Sequence, residues 1–73
     1  MKTYNKIIKI SSEKRFGRPC IRNTRISVSD ILGWLDSGMT FEEILTDYPE
    51  LSREDIKASL MFAADRERKL QTI

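Results

Sequence analysis

The feature that most constrains the fold is a change in the spacing of apolar residues at Ser27. Before it, short β-branched runs alternate with polar residues; after it, apolar residues recur every three to four positions, as in an amphipathic helix. The pattern predicts a strand arm over 1–27, a helical body over 28–69 and a tail over 70–73. We expect one domain, because so short a chain encloses a single core.

Capping residues and helix breakers divide the body into three helices. Ser27 or Ser29 can cap the first helix, since its hydroxyl accepts a hydrogen bond from an N–H of the first turn, and Gly38 ends it. Pro49 ends the second helix, because the residue before a proline is pushed out of the helical region. Two capping boxes mark the other starts, formed by Thr40 with Glu43 and by Ser52 with Asp55.

The predicted third helix, over 53–69, is the longest. The expected core-facing residues of the three helices are Ile31, Leu32, Trp34, Leu35, Phe41, Ile44, Leu45, Tyr48, Ile56, Leu60, Ala63 and Ala64. Phe62 lies off this face, so we predict that it contacts a second subunit. The second and third helices, joined by 47–51, have the spacing of a helix-turn-helix. A generic helical hairpin has the same spacing, so both interpretations stay open.

The arm combines strand and turn chemistry. Residues 6–10 alternate as in a short strand, and 16–19 contain the glycine and proline of a turn. Segments 20–22 and 25–27 flank Asn23, which tolerates a left-handed conformation. We expect either a short hairpin or two short edge strands here.

Charge is strongly segregated along the chain. Residues 1–28 carry eight basic residues and one acid, whereas residues 29–65 carry nine acids and two basic residues. Such asymmetry indicates that the basic segment has an acidic partner. The partner could be nucleic acid or the acidic half of a second copy.

The residue inventory argues against an enzyme or a metalloprotein. The chain has no histidine, and Cys20 is its one cysteine, so a catalytic thiol would lack the usual base and a zinc site its usual ligands. We expect Cys20 to be a small buried residue. No apolar run reaches the roughly 18–20 residues of a membrane span, and residues 1–10 are too polar for a signal peptide. We therefore expect a cytoplasmic homodimer without cofactor, metal or small-molecule substrate.

Two segments resemble a family signature. Residues 15–32, RFGRPCIRNTRISVSDIL, and residues 38–56, GMTFEEILTDYPELSREDI, are similar to the family catalogued as domain of unknown function four-three-three, regarded as related to VapB-type antitoxins. The likeness extends over residues 5–65. Asn23 stands where the family usually has glycine, and Ser27 where it often has proline. Asn23 can still adopt a positive φ, and Ser27 can cap the helix instead.

The resemblance implies a mainly α, homeodomain-like helix-turn-helix body of three helices preceded by a short β-hairpin or strand arm. It also implies a PIN-like nuclease toxin as partner. We expect the antitoxin of a type II toxin–antitoxin system, a dimer that binds its own promoter and neutralises this toxin. The alternative is a protein–protein adaptor with no role on DNA, which the acidic helices favour.

Candidate DNA contacts fall into two groups. Those of the arm are Lys14, Arg15, Arg18 and Arg22, whose charged side chains fit phosphate oxygens. Those of the third helix are Ser52, Arg53 and Lys57. Because Glu50, Glu54 and Asp55 surround the second group, we expect the arm to supply most of the affinity. A solvated or dimer-pairing face is the alternative for the arm.

The last eight residues are the candidate toxin contact. Arg66, Arg68 and Lys69 supply positive charge, and Leu70 and Ile73 supply apolar anchors. This mixture suits a nuclease groove that contains metal-binding carboxylates. The alternative is that the segment completes the third helix and packs against a dimer partner.

Overall fold

The computed structural model describes residues 3–11 and 17–70. The elements are a 3₁₀ turn Thr3–Lys6, strands β1 Ile8–Ile10 and β2 Pro19–Ile21, and helices α1 Val28–Asp36, α2 Phe41–Asp47 and α3 Arg53–Leu70. This arrangement confirms the predicted mainly helical, three-helix body with an N-terminal strand arm. The strand expected over 6–10 is shorter than predicted, because the 3₁₀ turn extends as far as Lys6.

The two strands form an antiparallel pair in which Ile8 lies opposite Ile21. Segments 20–22 and 25–27 also pair, as expected for a short hairpin: Cys20 and Ser27 form an isolated antiparallel bridge, and the N–H of Ile21 donates to the carbonyl of Ile26 at 2.9 Å. The sequence did not predict that β2 pairs with β1, and the N–H of Arg22 extends this pairing by donating to the carbonyl of Ile7, 2.7 Å away. The turn after β2 is therefore held against the start of β1.

A tight turn leads from β2 towards α1. Its left-handed residue is Arg22, with φ of 43°, so the expectation that Asn23 takes this conformation is wrong. Thr24 closes the turn, since its Oγ1 donates to the Ile21 carbonyl at 2.7 Å and accepts from the Ile26 N–H at 3.1 Å. A positive φ is uncommon for arginine, and the contact of its side chain is described below.

The predicted caps of the first two helices are confirmed. Ser27 Oγ accepts from the Asp30 N–H, and the Asp30 carboxylate accepts from the Ser27 N–H, both at 3.0 Å. Thr40 and Glu43 make the same reciprocal bonds at the start of α2. Gly38 has φ of 102° directly after α1, as expected for a helix-ending glycine. Such caps each stabilise a helix by about 1 kcal/mol.

The core lies between α1, α3 and the strands. Its buried apolar side chains are Ile8, Ile21, Val28, Ile31, Ile44, Leu51, Ile56 and Ala58. Cys20 is buried beside them, as predicted. Trp34 of α1 stacks on Tyr48 with ring centroids 4.0 Å apart, which fixes the end of α2 against α1. The α2–α3 turn therefore starts from a fixed position.

The face that α3 turns to the core differs from the prediction. Leu60 is 41% exposed and Ala64 is exposed, although both were expected in the core. Polar residues occupy core-facing positions instead: Asp55, Ser59 and Asp65 are buried. Apolar periodicity cannot detect a face whose members are partly polar, which explains the error.

Phe62 packs within its own chain, and the subunit contact expected for it stays a prediction. Its ring meets Tyr4 edge to face, with centroids 5.5 Å apart. The Tyr4 hydroxyl donates to Asp65 Oδ2 at 2.8 Å, and Arg68 Nη1 lies 3.3 Å from Asp65 Oδ1. The hydrogen bond to Asp65, reinforced by burial, raises the pKa of Tyr4 above its ordinary value of 10.0. The 3₁₀ turn is thereby joined to the second half of α3.

We predict that this contact makes stability fall at alkaline pH. An unfolded tyrosine deprotonates near its ordinary pKa, whereas folded Tyr4 keeps its proton to higher pH, so the contribution is complete below pH 10 and is lost as pH rises through the folded pKa. Urea unfolding of the wild type and Tyr4→Phe should show a difference in stability that narrows across this window. A difference in the free energy of unfolding between the two proteins that stays constant with pH would contradict the raised pKa of Tyr4.

Candidate nucleic-acid interface at the start of helix α3

Asp55 is a fully buried carboxylate in the first turn of α3. Its Oδ2 accepts from the Ser52 N–H at 3.0 Å, and its own N–H faces Ser52 Oγ at 3.4 Å. The capping box predicted for these residues is therefore confirmed. A cap does not require complete burial, so a second partner is needed to explain the position of this charge.

Arg22 is that partner. Its Nη1 lies 3.0 Å from Asp55 Oδ1 and donates to Oδ2 at 3.1 Å. The capping role predicted for Asp55 is therefore incomplete, because its charged partner lies 33 residues away in the sequence. Arg22 stays 48% exposed, so its remaining N–H groups face solvent. The pair joins the turn after β2 directly to the start of α3.

Arg53 connects α2 with α3 on the outer surface. Its Nη2 lies 3.1 Å from Glu42 Oε2, and its guanidinium lies 5.2 Å from the centre of the Phe41 ring. Both charged side chains are more than half exposed, so the ion pair contributes at most about 1 kcal/mol. The guanidinium is thus oriented by weak contacts and can exchange Glu42 for another anion.

Lys57 lies one turn after Arg53 on the same face of α3 and is exposed. It borders a shallow groove with Ile7, whose carbonyl accepts the N–H of Arg22. One basic side chain of the arm and two of the helix therefore lie at the first two turns of α3. We call Arg22, Arg53 and Lys57 the cationic rim.

The rim changes the balance of charge that the sequence suggests. The negative charge of Asp55 is buried and compensated by Arg22, so it does not face an approaching phosphate. Glu50 and Glu54 remain exposed near the rim. The repulsion expected between Asp55 and DNA phosphates is thus absent, whereas that from Glu50 and Glu54 remains.

The other candidate residues are distributed over the chain. Ser52 and Arg18 are exposed, as a contact to a ligand requires. Lys14, Arg15 and Ile73 lie outside the described residues. Among the toxin candidates, Arg66 and Arg68 are exposed on α3, and the helix extends through Lys69 and Leu70. The backbone of 66–70 therefore completes the long helix, which is one of the two arrangements considered for it.

Two further findings concern the part of the chain that the structure describes. Within it, no three His, Cys, Asp or Glu side chains come together in a way that could hold a metal ion. None of its helices is both long and apolar enough to cross a bilayer.

We predict that removing the Arg22 side chain destabilises the fold. Arg22→Ala leaves the buried carboxylate of Asp55 without its cation, which should cost about 2 to 3 kcal/mol because water replaces the half-exposed guanidinium only in part. Arg18→Ala is the matched control, since it removes an exposed arginine of the same arm and should change stability by less than about 0.5 kcal/mol. Equal urea midpoints for the two variants would show that the ion pair is not structural.

Comparisons with known proteins place this geometry in a family. Residues 8–63 match the family described as "Protein of unknown function (DUF433)". A crystal structure of a DUF433 member protein from Anabaena variabilis ATCC 29413 is similar, with 30% sequence identity and a TM-score of 0.82. The similarity covers 88% of this chain and 63% of that one, so the chain spans less than two thirds of that protein's length. No curated protein matches the chain. Since the family match includes both strands and most of the helical body, the chain belongs to the DUF433 family.

Proposed function

We propose that this protein binds DNA through the cationic rim and acts as the antitoxin of a nuclease toxin. The observation that carries the proposal is the Arg22–Asp55 pair, because it joins the basic arm to the first turn of α3. A DNA ligand thereby meets one surface rather than two separate segments. We further propose that the arm and the helix contact DNA jointly, while the expectation that the arm supplies most of the affinity stays a prediction.

The helical arrangement supports this proposal. Helices α2 and α3 are joined by a five-residue connection, 48–52, and in helix-turn-helix proteins the first turns of the second helix face the major groove. Ser52, Arg53 and Lys57 lie in or beside those turns. Arginine and lysine there can contact phosphates or base edges, and Arg22 can hold the adjacent backbone.

The nuclease part of the proposal rests on the family resemblance and on charge. Arg66 and Arg68 are exposed near the end of α3, and basic side chains there can approach a carboxylate-lined active site. The adaptor function remains the second candidate. It is favoured by the exposed apolar side chains of Leu60 and Met61, since a DNA-binding surface does not require them.

We predict that both basic groups contribute to DNA binding. Mobility shifts on the duplex upstream of the protein's own gene, across a salt series, should give slopes about two units smaller for Arg53→Ala/Lys57→Ala and for Arg15→Ala/Arg18→Ala. These pairs leave the buried ion pair intact. The control, Arg68→Gln/Lys69→Gln, removes the same charge elsewhere and should leave the slope unchanged.

Three outcomes separate the interpretations. No binding at low salt by the wild type refutes the DNA function and favours the adaptor. If all three double variants lose affinity equally, binding depends on net charge and the rim is not the site. If the arm variant alone weakens binding, the sequence-based expectation stands and joint contact is wrong.

We predict that neutralisation depends on the end of α3. Deleting 69–73, beside the point variant Arg68→Gln/Lys69→Gln, should abolish protection of cells that express the neighbouring PIN-like nuclease. DNA binding measured on the same preparations serves as the control for folding. Full protection by both variants would exclude this segment as the toxin contact.

A further inference from the structure

A shallow apolar groove lies between α1 and α3 and has a volume of about 530 Å³. Residues that line it include Val28, Leu32, Phe62, Ala63, Arg66 and Glu67. Pro19 of β2 also lines the groove, and the rest of the lining belongs to α1 and α3. Its apolar floor is continuous with the core, because Val28 is buried there and Leu32 and Phe62 pack against it.

The outer face of α3 extends the apolar surface beyond the groove. Leu60 is 41% exposed and lies one turn before Ala64, which also lines the groove. Contiguous exposed apolar surface on a small protein usually marks an interface. The alanines at 63 and 64 leave room for a second helix to approach closely.

The rim of the groove carries one charge of each sign. Arg66 lies over the Phe62 ring, with its guanidinium 5.3 Å from the ring centre, and Glu67 follows it on the helix. In a two-fold symmetric interface, residue i of one copy contacts residue j of the other, and j contacts i. A rim with one arginine and one glutamate is therefore complementary to itself.

We propose that the groove is the homodimer interface, and that α3 of a second copy packs antiparallel against it. A two-fold axis beside Arg66 and Glu67 makes Arg66 of each copy face Glu67 of the other, with Ala63 and Ala64 allowing close contact. This arrangement identifies the surface behind the dimer expected from chain length. For Arg66, the proposed interface favours packing against a dimer partner over contact with a toxin.

Charge favours a second copy over a nuclease active site as the occupant. A carboxylate-lined site would select positive charge alone, and Glu67 would repel it. The dimer surface lies in the second half of α3, whereas the cationic rim surrounds the first half. The inference therefore does not depend on DNA binding, and both surfaces can be occupied together.

Reciprocal charge reversal tests the interface. Sedimentation equilibrium of the wild type should show a dimer at micromolar concentration. Arg66→Glu places two glutamates opposite each other and Glu67→Arg two arginines, so each variant should dimerise at least about tenfold more weakly. An equimolar mixture of the two variants should form a heterodimer, because each of its contacts again joins opposite charges. Glu54→Arg, at an exposed position of α3 outside the groove, is the matched control and should stay dimeric.

Each of the following results decides whether the groove is the dimer interface or whether the proposed function fails. A folded wild type, with normal circular dichroism, that is still monomeric at 100-fold higher concentration would overturn the proposal. The groove would then be a binding site for a different protein. Dimers unaffected by either single reversal would place the interface elsewhere and also overturn it. A dimer that binds no DNA would refute only the proposed function, so the two failures are distinguishable.

Discussion

The structure depends on a buried negative charge at the start of its longest helix. Asp55 is completely buried, and an uncompensated carboxylate in such a place is strongly destabilising. Two partners resolve this: the backbone of Ser52 donates to it, and Arg22 supplies the opposite charge. Arg22 does so from a left-handed backbone conformation in the turn after β2. The geometry of the arm and the start of α3 are therefore set by the same contact.

This coupling explains how a chain with so small a core keeps its arm in place. The strands are three residues long, and a two-stranded pair of that size has little stability alone. Contacts to α3 supply what the strands lack, at one end through Arg22 and at the other through Tyr4, which bonds Asp65. Arg22, a basic residue of the arm, is thereby held at the first turn of α3, the helix that carries Arg53 and Lys57.

Local signals in the sequence predicted the helices well. Ser27, Thr40 and Ser52 start helices because capping involves residues three positions apart, so the spacing is visible in the chain. Contacts between distant residues were not predictable in this way. Nothing near Asp55 in the sequence shows that it pairs with a residue 33 positions away. The core-facing side of α3 contains buried polar residues, so apolar spacing did not identify it and Leu60 was wrongly assigned to the core. The cationic rim was missed as one surface for the same reason, since its members come from two segments.

Arg22 and Asp55 act as a coupled pair that joins the arm to α3. A double-mutant cycle measures this coupling directly, using urea unfolding of the wild type, Arg22→Met, Asp55→Asn and the double variant. We expect an interaction free energy of about 1 to 3 kcal/mol, with the double variant more stable than the sum of the single effects implies. Additive effects within about 0.5 kcal/mol would contradict it, since the two side chains would then stabilise the fold independently.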